Sequence, residues 1–199
     1  MYERRDRLYK KAKEEGKVSR ASYKLIELQG RFHLIKRGNS VLDIGAAPGG
    51  WSKEAVKMVG EKGLVVAVDL SRLAFAPQGN LIFIQGDIRD DGVLQKVREI
   101  CPNFDVVISD LSPSLSGIKF KDRYESYLLA TRALEIASLL LRNGGNFVTK
   151  IFPGEEMREY KLSMKGLFRS ISEAKLSATR RTSDEVYLVG LSFLGKETK

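Results

Sequence analysis

The sequence predicts an α/β protein with a doubly wound, mostly parallel β-sheet and helices on both of its faces. From residue 40 onward, short apolar runs alternate with longer stretches of helical periodicity. The apolar runs, such as those at residues 65–68 and 106–108, are continuous, which indicates strands covered on both faces. Because strand and helix segments alternate, we expect parallel strands joined by right-handed crossovers.

Six strands and four helices are expected in this core. The predicted strands span residues 40–44, 64–68, 81–85, 105–109, 146–151 and 186–193. The predicted helices lie near residues 51–59, 92–100, 124–141 and 155–170. Strands and helices alternate over most of this stretch, which is the pattern of a doubly wound sheet.

A further helix is expected before the first strand, because the apolar residues at positions 21, 25, 28 and 32 fall on one helical face. Ser19 is a candidate N-cap for this helix, and Gly30 is a candidate break. Residues 1–39 are therefore expected to form a basic N-terminal helical arm. Residues 40–199 would form the cofactor-binding catalytic core of one domain that spans residues 1–199.

The composition excludes several classes of protein. A length of 199 residues with 43% hydrophobic residues fits one globular domain. No apolar run approaches the roughly 18 residues of a membrane span, and the first residues lack a signal-peptide core. The single cysteine, Cys101, rules out a disulfide framework and a multi-cysteine zinc site. We expect a cytoplasmic monomer with no metal site and no membrane contact.

The net charge of +9 is unevenly distributed along the chain. Residues 1–40 hold 12 Lys/Arg against 5 Asp/Glu, a net charge of +7, whereas residues 41–152 hold 13 of each. Such a segment is either a solvated terminus or a contact surface for a polyanion. Four aromatic residues, among them Tyr9 and Tyr23, lie between these cations, which favours RNA over a membrane surface.

A glycine-rich segment follows the first predicted strand and reads Asp-Ile-Gly-Ala-Ala-Pro-Gly-Gly-Trp over residues 43–51. Gly45, Gly49 and Gly50 lack a Cβ atom, so the backbone can turn tightly and approach a ligand closely. The spacing matches neither a Walker loop nor Gly-x-Gly-x-x-Gly, so it gives little support for phosphate binding.

Aspartates stand at the ends of the next three predicted strands, at Asp69, Asp87 and Asp110. Each of them alone is explained equally well as a helix cap. The carboxyl ends of parallel strands, however, meet at one edge of the sheet, where α/β proteins bind ligands. Asp69 can accept both hydroxyls of a ribose there. This edge therefore favours an adenosine-containing ligand with a cationic, amino-bearing tail.

The segment at residues 43–51 resembles motif I of the FtsJ/RrmJ (RlmE-type) RNA ribose 2'-O-methyltransferases, which use S-adenosylmethionine. The resemblance runs from about residue 9 to residue 194. It includes Ser-Arg-Ala-Ser-Tyr-Lys-Leu at 19–25, Ser-Asp-Leu-Ser-Pro at 109–113, Ser-Gly at 116–117, Thr-Lys-Ile-Phe at 149–152 and Ser-Asp-Glu-Val-Tyr at 183–187. The ordered set of motifs is specific, and it implies a Rossmann-like class I methyltransferase fold.

The resemblance also implies S-adenosylmethionine as the cofactor. The residues that it carries over as cofactor-binding are Gly45, Gly49, Trp51, Asp69, Asp87 and Asp110. In the family's pattern, Asp69 would hold the ribose hydroxyls of the cofactor and Asp87 its adenine amino group.

The family's Lys-Asp-Lys-Glu tetrad matches Lys24, Asp110, Lys150 and Glu185 in this sequence. A ribose 2'-hydroxyl is a poor nucleophile, so it must be aligned with the methyl group and must lose its proton. We expect Lys150 to act as the base or to steer the hydroxyl. A second cation close by favours the neutral form of a lysine, so Lys24 is expected to modulate Lys150. Glu185 is expected to orient the amines.

The resemblance favours a uridine of large-subunit ribosomal RNA as the substrate, with transfer RNA as the alternative. A non-catalytic RNA-binding module is an alternative of another class, but it need not keep Asp110, Lys150 and Glu185 together. Cytosine-5 RNA methyltransferases need a nucleophilic cysteine after the central strands, whereas Cys101 precedes the fourth strand. Amine methyltransferases and nicotinamide oxidoreductases are disfavoured, because their characteristic loops are missing.

Two segments depart from the family's pattern. Residues 178–183 read Ala-Thr-Arg-Arg-Thr-Ser in place of a Ser-Ser-Arg-like run, and residues 112–114 read Ser-Pro-Ser where the bacterial type has Ala-Pro-Asn. The first segment is expected on the RNA-facing surface. Its departure therefore bears on the choice of target nucleotide rather than on the chemistry.

Overall fold

The structure is a computed structural model that describes residues 12, 14–179 and 183–195. Its strands are β1 (Ser40–Ile44), β2 (Leu64–Asp69), β3 (Leu81–Gln85), β4 (Phe104–Ser109), β5 (Leu141–Ile151), β6 (Phe168–Ala174) and β7 (Val186–Phe193). Its helices are α1 (Ala21–Phe32), α2 (Gly50–Val59), α3 (Asp91–Ile100), α4 (Lys119–Leu140) and α5 (Glu156–Lys165). The strands predicted at 40–44, 81–85 and 186–193 are confirmed to the residue.

The seven strands form one sheet in the order β3-β2-β1-β4-β5-β7-β6. Strands β1 to β5 pair in parallel, and β7 pairs antiparallel with both β5 and β6. The predicted doubly wound, mostly parallel sheet is therefore confirmed. Chain order reverses between β1 and β4, and ligands of open α/β sheets bind at such a switch point.

Both faces of the sheet are covered by helices. Val107 contributes to a core shared with α3, α4 and α5, whereas its neighbours Val106 and Ile108 contribute to a core shared with α1 and α2. All three are fully buried, and full burial of such a side chain stabilises by roughly 1.5–3 kcal/mol. The continuous apolar runs are thus explained, because successive side chains enter opposite cores.

The helix expected before the first strand is present, but its predicted ends are wrong. Gly30 lies inside α1 on an exposed face, and the helix ends only at His33, which adopts a left-handed conformation. Ser19 does not cap the helix through its hydroxyl, because its side chain packs against Gly50. The backbone carbonyl of Ser19 instead accepts the N–H of Ser22 at 3.2 Å.

The helix predicted over residues 155–170 is wrong in its second half. Helix α5 ends at Lys165, and β6 follows as an edge strand of the sheet. The contacts of Phe168 favour the strand. Its ring stacks on that of Phe147 with 5.9 Å between the ring centroids, and its centroid lies 5.5 Å from that of Phe193. These contacts are distant in sequence, so local periodicity does not reveal them. Helix α4 also begins earlier than predicted, at Lys119 rather than at residue 124.

Within the described part of the chain, no helix combines the length and the apolar character needed to cross a bilayer. The division into an arm at residues 1–39 and a core at 40–199 stays a prediction. Residues 1–11 and 13 of that arm lie outside the described residues.

Candidate active site

The glycine-rich segment forms a tight turn between β1 and α2. Gly45 and Gly49 adopt φ values of +77° and +108°, in the region that favours glycine. A Cβ atom at Gly49 would collide with the ring of Phe75, so this position also needs the missing side chain. The turn closes with the Gly49 N–H donating to the Ala46 carbonyl at 2.7 Å.

A cleft of about 690 Å³ lies outside the carboxyl ends of the parallel strands. Its wall includes Gly45, Asp69, Asp87 and Asp110, as expected for residues that follow neighbouring parallel strands. Four of the predicted cofactor-binding residues therefore come together around one cavity. We name this cavity the carboxylate cleft.

Asp69 connects the carboxylate cleft to the glycine turn. Its Oδ2 accepts the N–H of Ala47 at 2.9 Å, and its Oδ1 accepts the N–H of Ser71 at 2.7 Å. A carboxylate has about four acceptor positions, so further capacity remains for the hydroxyls of a ribose. Asp69 can thus hold both the turn and a ligand.

Asp87 has a cationic partner within the same cleft. The guanidinium of Arg89 donates to both of its carboxylate oxygens, at 3.0 Å from Nε and 2.6 Å from the terminal nitrogen. These hydrogen bonds hold the pKa of Asp87 below its usual range. Its predicted contact with an adenine amino group stays a prediction.

Gly49 and Trp51 are not among the residues that line the carboxylate cleft. The Trp51 side chain is buried, and its Nε1 donates to the Ala21 carbonyl at 2.9 Å. Its ring also lies 5.8 Å from that of Tyr187. The structure therefore gives Trp51 a packing role between α1, α2 and β7, and its predicted cofactor contact stays a prediction.

The four residues of the predicted tetrad come together as two neighbouring ion pairs. Lys150 Nζ lies 3.2 Å from Asp110 Oδ1 and donates to the backbone carbonyl of Asp110 at 2.9 Å. Lys24 Nζ forms the second ion pair, with Glu185 Oε1. Lys24, Lys150 and Glu185 are each at most 9% exposed. Buried charges of this kind need their partners, because an unpaired charge is costly to desolvate.

Tyr187 connects the two ion pairs, a role that the sequence reasoning missed. Its hydroxyl donates to Asp110 Oδ1 at 2.7 Å, and Lys24 Nζ lies 5.6 Å from its ring centroid. Burial and the nearby carboxylates of Asp110 and Glu185 raise its pKa well above the usual value, so it remains a donor. The alternation along β7, which places residues 185 and 187 on the same face, is the signal that could have revealed it.

The electrostatics of Asp110 depend on these neighbours. Burial by itself raises the pKa of its carboxyl, but the charges of Lys150 and Lys24 and the hydrogen bond from Tyr187 outweigh burial. The net result is a pKa below the ordinary value. Asp110 is therefore a fixed anion between the two lysines.

Asp43, at the base of the glycine turn, is a further buried carboxyl. Its Oδ2 accepts a 2.6 Å hydrogen bond from the Ser52 hydroxyl, whereas its Oδ1 has no hydrogen-bond partner among the described residues. Burial raises the pKa of Asp43 to about 7. The charges of Asp110 and Asp69 act in the same direction, whereas the hydrogen bond from Ser52 lowers the pKa. Asp43 therefore titrates near neutrality, unlike Asp110.

A second cavity of about 470 Å³ adjoins the ion pair of Lys24 and Glu185. It shares Ser112 with the carboxylate cleft, and both Lys24 and Glu185 line it. Its wall carries three further cations, Arg20, Lys119 and Arg123, and two further carboxylates, Asp122 and Asp184, so that with Lys24 and Glu185 cations outnumber anions by four to three. We name it the basic cavity. Of the divergent segment at 178–183, residues 180–182 lie outside the described residues.

The sheet order and the glycine turn, with carboxylates at successive strand ends, define a Rossmann-like class I methyltransferase. Comparison with family models agrees, because the model for FtsJ-like methyltransferases matches residues 17–193. The chain belongs to this family, whose methyl donor is S-adenosylmethionine.

Curated relatives of the chain are similar over nearly its whole length. Ribosomal RNA large subunit methyltransferase E of Methanothermobacter thermautotrophicus is 46% identical over 98% of this chain and 92% of the relative. The protein of the same name from Pseudomonas fluorescens is 41% identical over 96% of this chain and 91% of the relative.

Solved structures show the same fold. A crystal structure assigned to a ribosomal RNA methyltransferase of Plasmodium falciparum has a TM-score of 0.80 at 29% identity, covering 90% of this chain and all of that one. Fibrillarin of Aeropyrum pernix, solved with natively bound S-adenosyl-L-methionine, has a TM-score of 0.58 at 20% identity, covering 87% of this chain and 77% of that one. The second likeness shows the fold alone.

Proposed function

We propose that this chain transfers the methyl group of S-adenosylmethionine to a ribose 2'-hydroxyl of large-subunit ribosomal RNA. The observation that carries the proposal is that the lysine–carboxylate group reaches both cavities: Asp110, which binds Lys150, lines the carboxylate cleft, and Lys24 and Glu185 line the basic cavity. A donor in one cavity and an RNA nucleotide in the other would meet at this group. The names of the curated relatives favour ribosomal RNA over transfer RNA.

The carboxylate cleft fits S-adenosylmethionine by its size and by the chemistry of its wall. Asp69 keeps acceptor capacity for ribose hydroxyls, and Asp110 supplies a fixed negative charge toward a cationic ligand. Gly45, without a side chain, borders the cleft. When bound, S-adenosylmethionine supplies a methyl group on a positively charged sulfur. Asp69 and Asp87 would hold its adenosine part.

The chain's own contribution to the reaction is alignment and proton removal. Lys150, held by two contacts to Asp110, orients the 2'-hydroxyl and accepts its proton. Lys24, held in place by Glu185, is a second cation whose charge acts on Asp110. Alignment of reacting groups of this kind is worth roughly 7–11 kcal/mol in well-oriented systems.

The proposal is tested by methyl transfer from labelled S-adenosylmethionine to purified large-subunit ribosomal RNA, ribosomal particles and transfer RNA. We expect incorporation into the first or the second, at a 2'-oxygen located by mass spectrometry. Lys150→Ala should abolish it, whereas the exposed-lysine control Lys62→Ala should not. Label in transfer RNA alone, or at a base, would contradict the proposal.

The nucleoside that is modified and the oligomeric state of the enzyme are proposed from the sequence rather than from the cavities. A uridine target follows from the family resemblance, and the same mass-spectrometric mapping identifies the modified nucleoside. A monomeric enzyme is proposed from the sequence. Light scattering of the purified protein at several concentrations tests the second point.

A further inference from the structure

An exposed apolar surface borders the basic cavity. It consists of Leu115 and Ile118, in the loop before α4, and of Phe120 and Tyr124 on the first two turns of that helix; we name it the aromatic rim. The four residues are 70%, 63%, 73% and 46% exposed. Several large apolar side chains exposed within ten residues are unusual, and exposed apolar groups of this kind mark interaction sites.

Hydrogen bonds connect the loop of the aromatic rim to α4. The buried carboxylate of Asp122 accepts the N–H and the hydroxyl of Ser116, at 2.8 and 2.7 Å, and the N–H of Gly117 at 3.3 Å. These bonds join the loop to the first turn of α4. Phe120 and Tyr124 are four residues apart, so they share one exposed face of the helix, opposite the buried Ser126.

Charge indicates which partner would cover this surface. Lys119, Lys121 and Arg123 alternate with the apolar residues at positions 118, 120 and 124, and two of these cations line the basic cavity. Leu115 lines the same cavity. Aromatic rings between cations are the composition of surfaces that bind single-stranded nucleic acid, because bases stack on the rings while cations contact the phosphates.

We propose that the aromatic rim is a stacking surface for unpaired bases next to the nucleotide in the basic cavity, with Phe120 as its main contact. The proposal rests on the proposed function in that RNA is the ligand. It adds that the RNA is recognised in a locally single-stranded form. A duplex keeps its bases stacked on each other and cannot offer them to Phe120.

The test measures binding of two labelled RNA probes by fluorescence anisotropy, a single-stranded 12-mer and a duplex of the same length. Phe120→Ala should weaken binding of the single strand about tenfold, since base stacking on an aromatic residue contributes on this scale. Duplex binding should change little. Phe120→Trp should bind the single strand like the wild type, and the exposed-residue control Leu162→Ala should change neither probe.

Two results would overturn the stacking surface. The first is unchanged binding of the single strand by Phe120→Ala, or equal weakening for both probes. The second is a concentration-dependent dimer that Phe120→Ala abolishes without any change in RNA binding, because the rim would then join two copies of the chain. Unchanged S-adenosylmethionine affinity, measured by calorimetry, shows that each variant is folded.

The same measurements separate this proposal from the proposed function. If wild-type protein transfers no methyl group but Phe120→Ala loses single-strand binding, the stacking surface stands and the proposed function fails. If the wild type methylates ribosomal RNA but Phe120→Ala binds the single strand normally, the proposed function stands and the stacking surface fails.

Discussion

The carboxylate cleft and the basic cavity, which share Ser112, are built from different kinds of chain segment. The carboxylate cleft is walled by one face of α4 and by loops that directly follow parallel strands, so its aspartates lie at the ends of β2, β3 and β4. The basic cavity combines Arg20 and Lys24, from near the start of the chain, with Asp184 and Glu185, from near its end.

This difference teaches that the two halves of the site depend on different features of the fold. The cofactor half needs the parallel strands β1 to β4, their loops and one face of α4. The substrate half needs the docking of α1 and the antiparallel pairing of β7 with β5. Substitutions in the two halves should therefore have separable effects.

The largest effect is expected at the boundary between the cavities. Lys150→Arg should lower methyl transfer by roughly a thousandfold or more, because a guanidinium does not give up its proton at usable pH. Calorimetry should show nearly unchanged S-adenosylmethionine affinity, since the amine acts on the hydroxyl. Substantial turnover by the arginine variant would show that Lys150 does not act as a base.

A substitution in the carboxylate cleft should affect only cofactor binding. Asp69→Ala removes a charged acceptor worth roughly 1.5–3 kcal/mol, so we expect about ten- to a hundredfold weaker S-adenosylmethionine binding. Affinity for RNA should be unchanged, and the exposed control Glu61→Ala should bind both ligands normally. Normal cofactor affinity in folded Asp69→Ala would place the cofactor elsewhere.

Removal of basic residues should affect only RNA binding. Deletion of residues 1–11 removes five Lys/Arg and two Asp/Glu, a net charge of +3, and spares Lys24. RNA affinity should fall about tenfold at low salt and depend less steeply on salt, because fewer counterions are released. The measurement is RNA affinity of the full chain and of the truncated protein over a series of salt concentrations. If affinity falls with salt equally steeply for both, this segment is a solvated terminus.

A smaller effect is expected when the two ion pairs are uncoupled. Tyr187→Phe removes the 2.7 Å hydrogen bond to Asp110 but keeps the ring beside Lys24. We expect kcat to fall by about three- to tenfold, less than the roughly 1.5–3 kcal/mol of one hydrogen bond to a charged group, because Tyr187 acts on Lys150 only through Asp110. KM for RNA should be unchanged. A rise in KM at unchanged kcat would instead assign Tyr187 to RNA binding.

The smallest effect is expected in stability rather than in activity. Titration of Asp43 should make the free energy of unfolding depend on pH. Because its folded pKa is raised to about 7, its contribution is present at acidic pH and is lost as the pH rises through that value. Asp110, Asp87 and Asp122 have lowered pKa values, so they are already ionised in this range. Chemical denaturation of cofactor-free protein should show wild-type stability falling between about pH 4 and 7, and a flatter profile for Asp43→Asn. Identical profiles would contradict the raised pKa.

Much of the fold could be predicted because the signals are local. Continuous apolar runs identified buried parallel strands, and the bounds of β1 and β3 follow from them. Strand β6 could not be predicted, since Phe168 becomes part of a strand only by stacking on Phe147 and Phe193. The early start of α4 could not be predicted for a similar reason. Hydrogen bonds from Ser116 and Gly117 to Asp122 stabilise its first turn.

The sequence by itself determined the class of the protein and its candidate residues. The glycine turn, the strand-end aspartates and the matched tetrad all lie in short segments whose chemistry is legible without coordinates. Only the tertiary structure decided which of them meet. Insertion of β7 beside β5 brings Glu185 to Lys24, across more than half of the chain's length, and brings Tyr187 to Asp110, 77 residues away in sequence. Buried charges so far apart in sequence become neighbours only when packing removes them from water together, and that is a property of the whole fold.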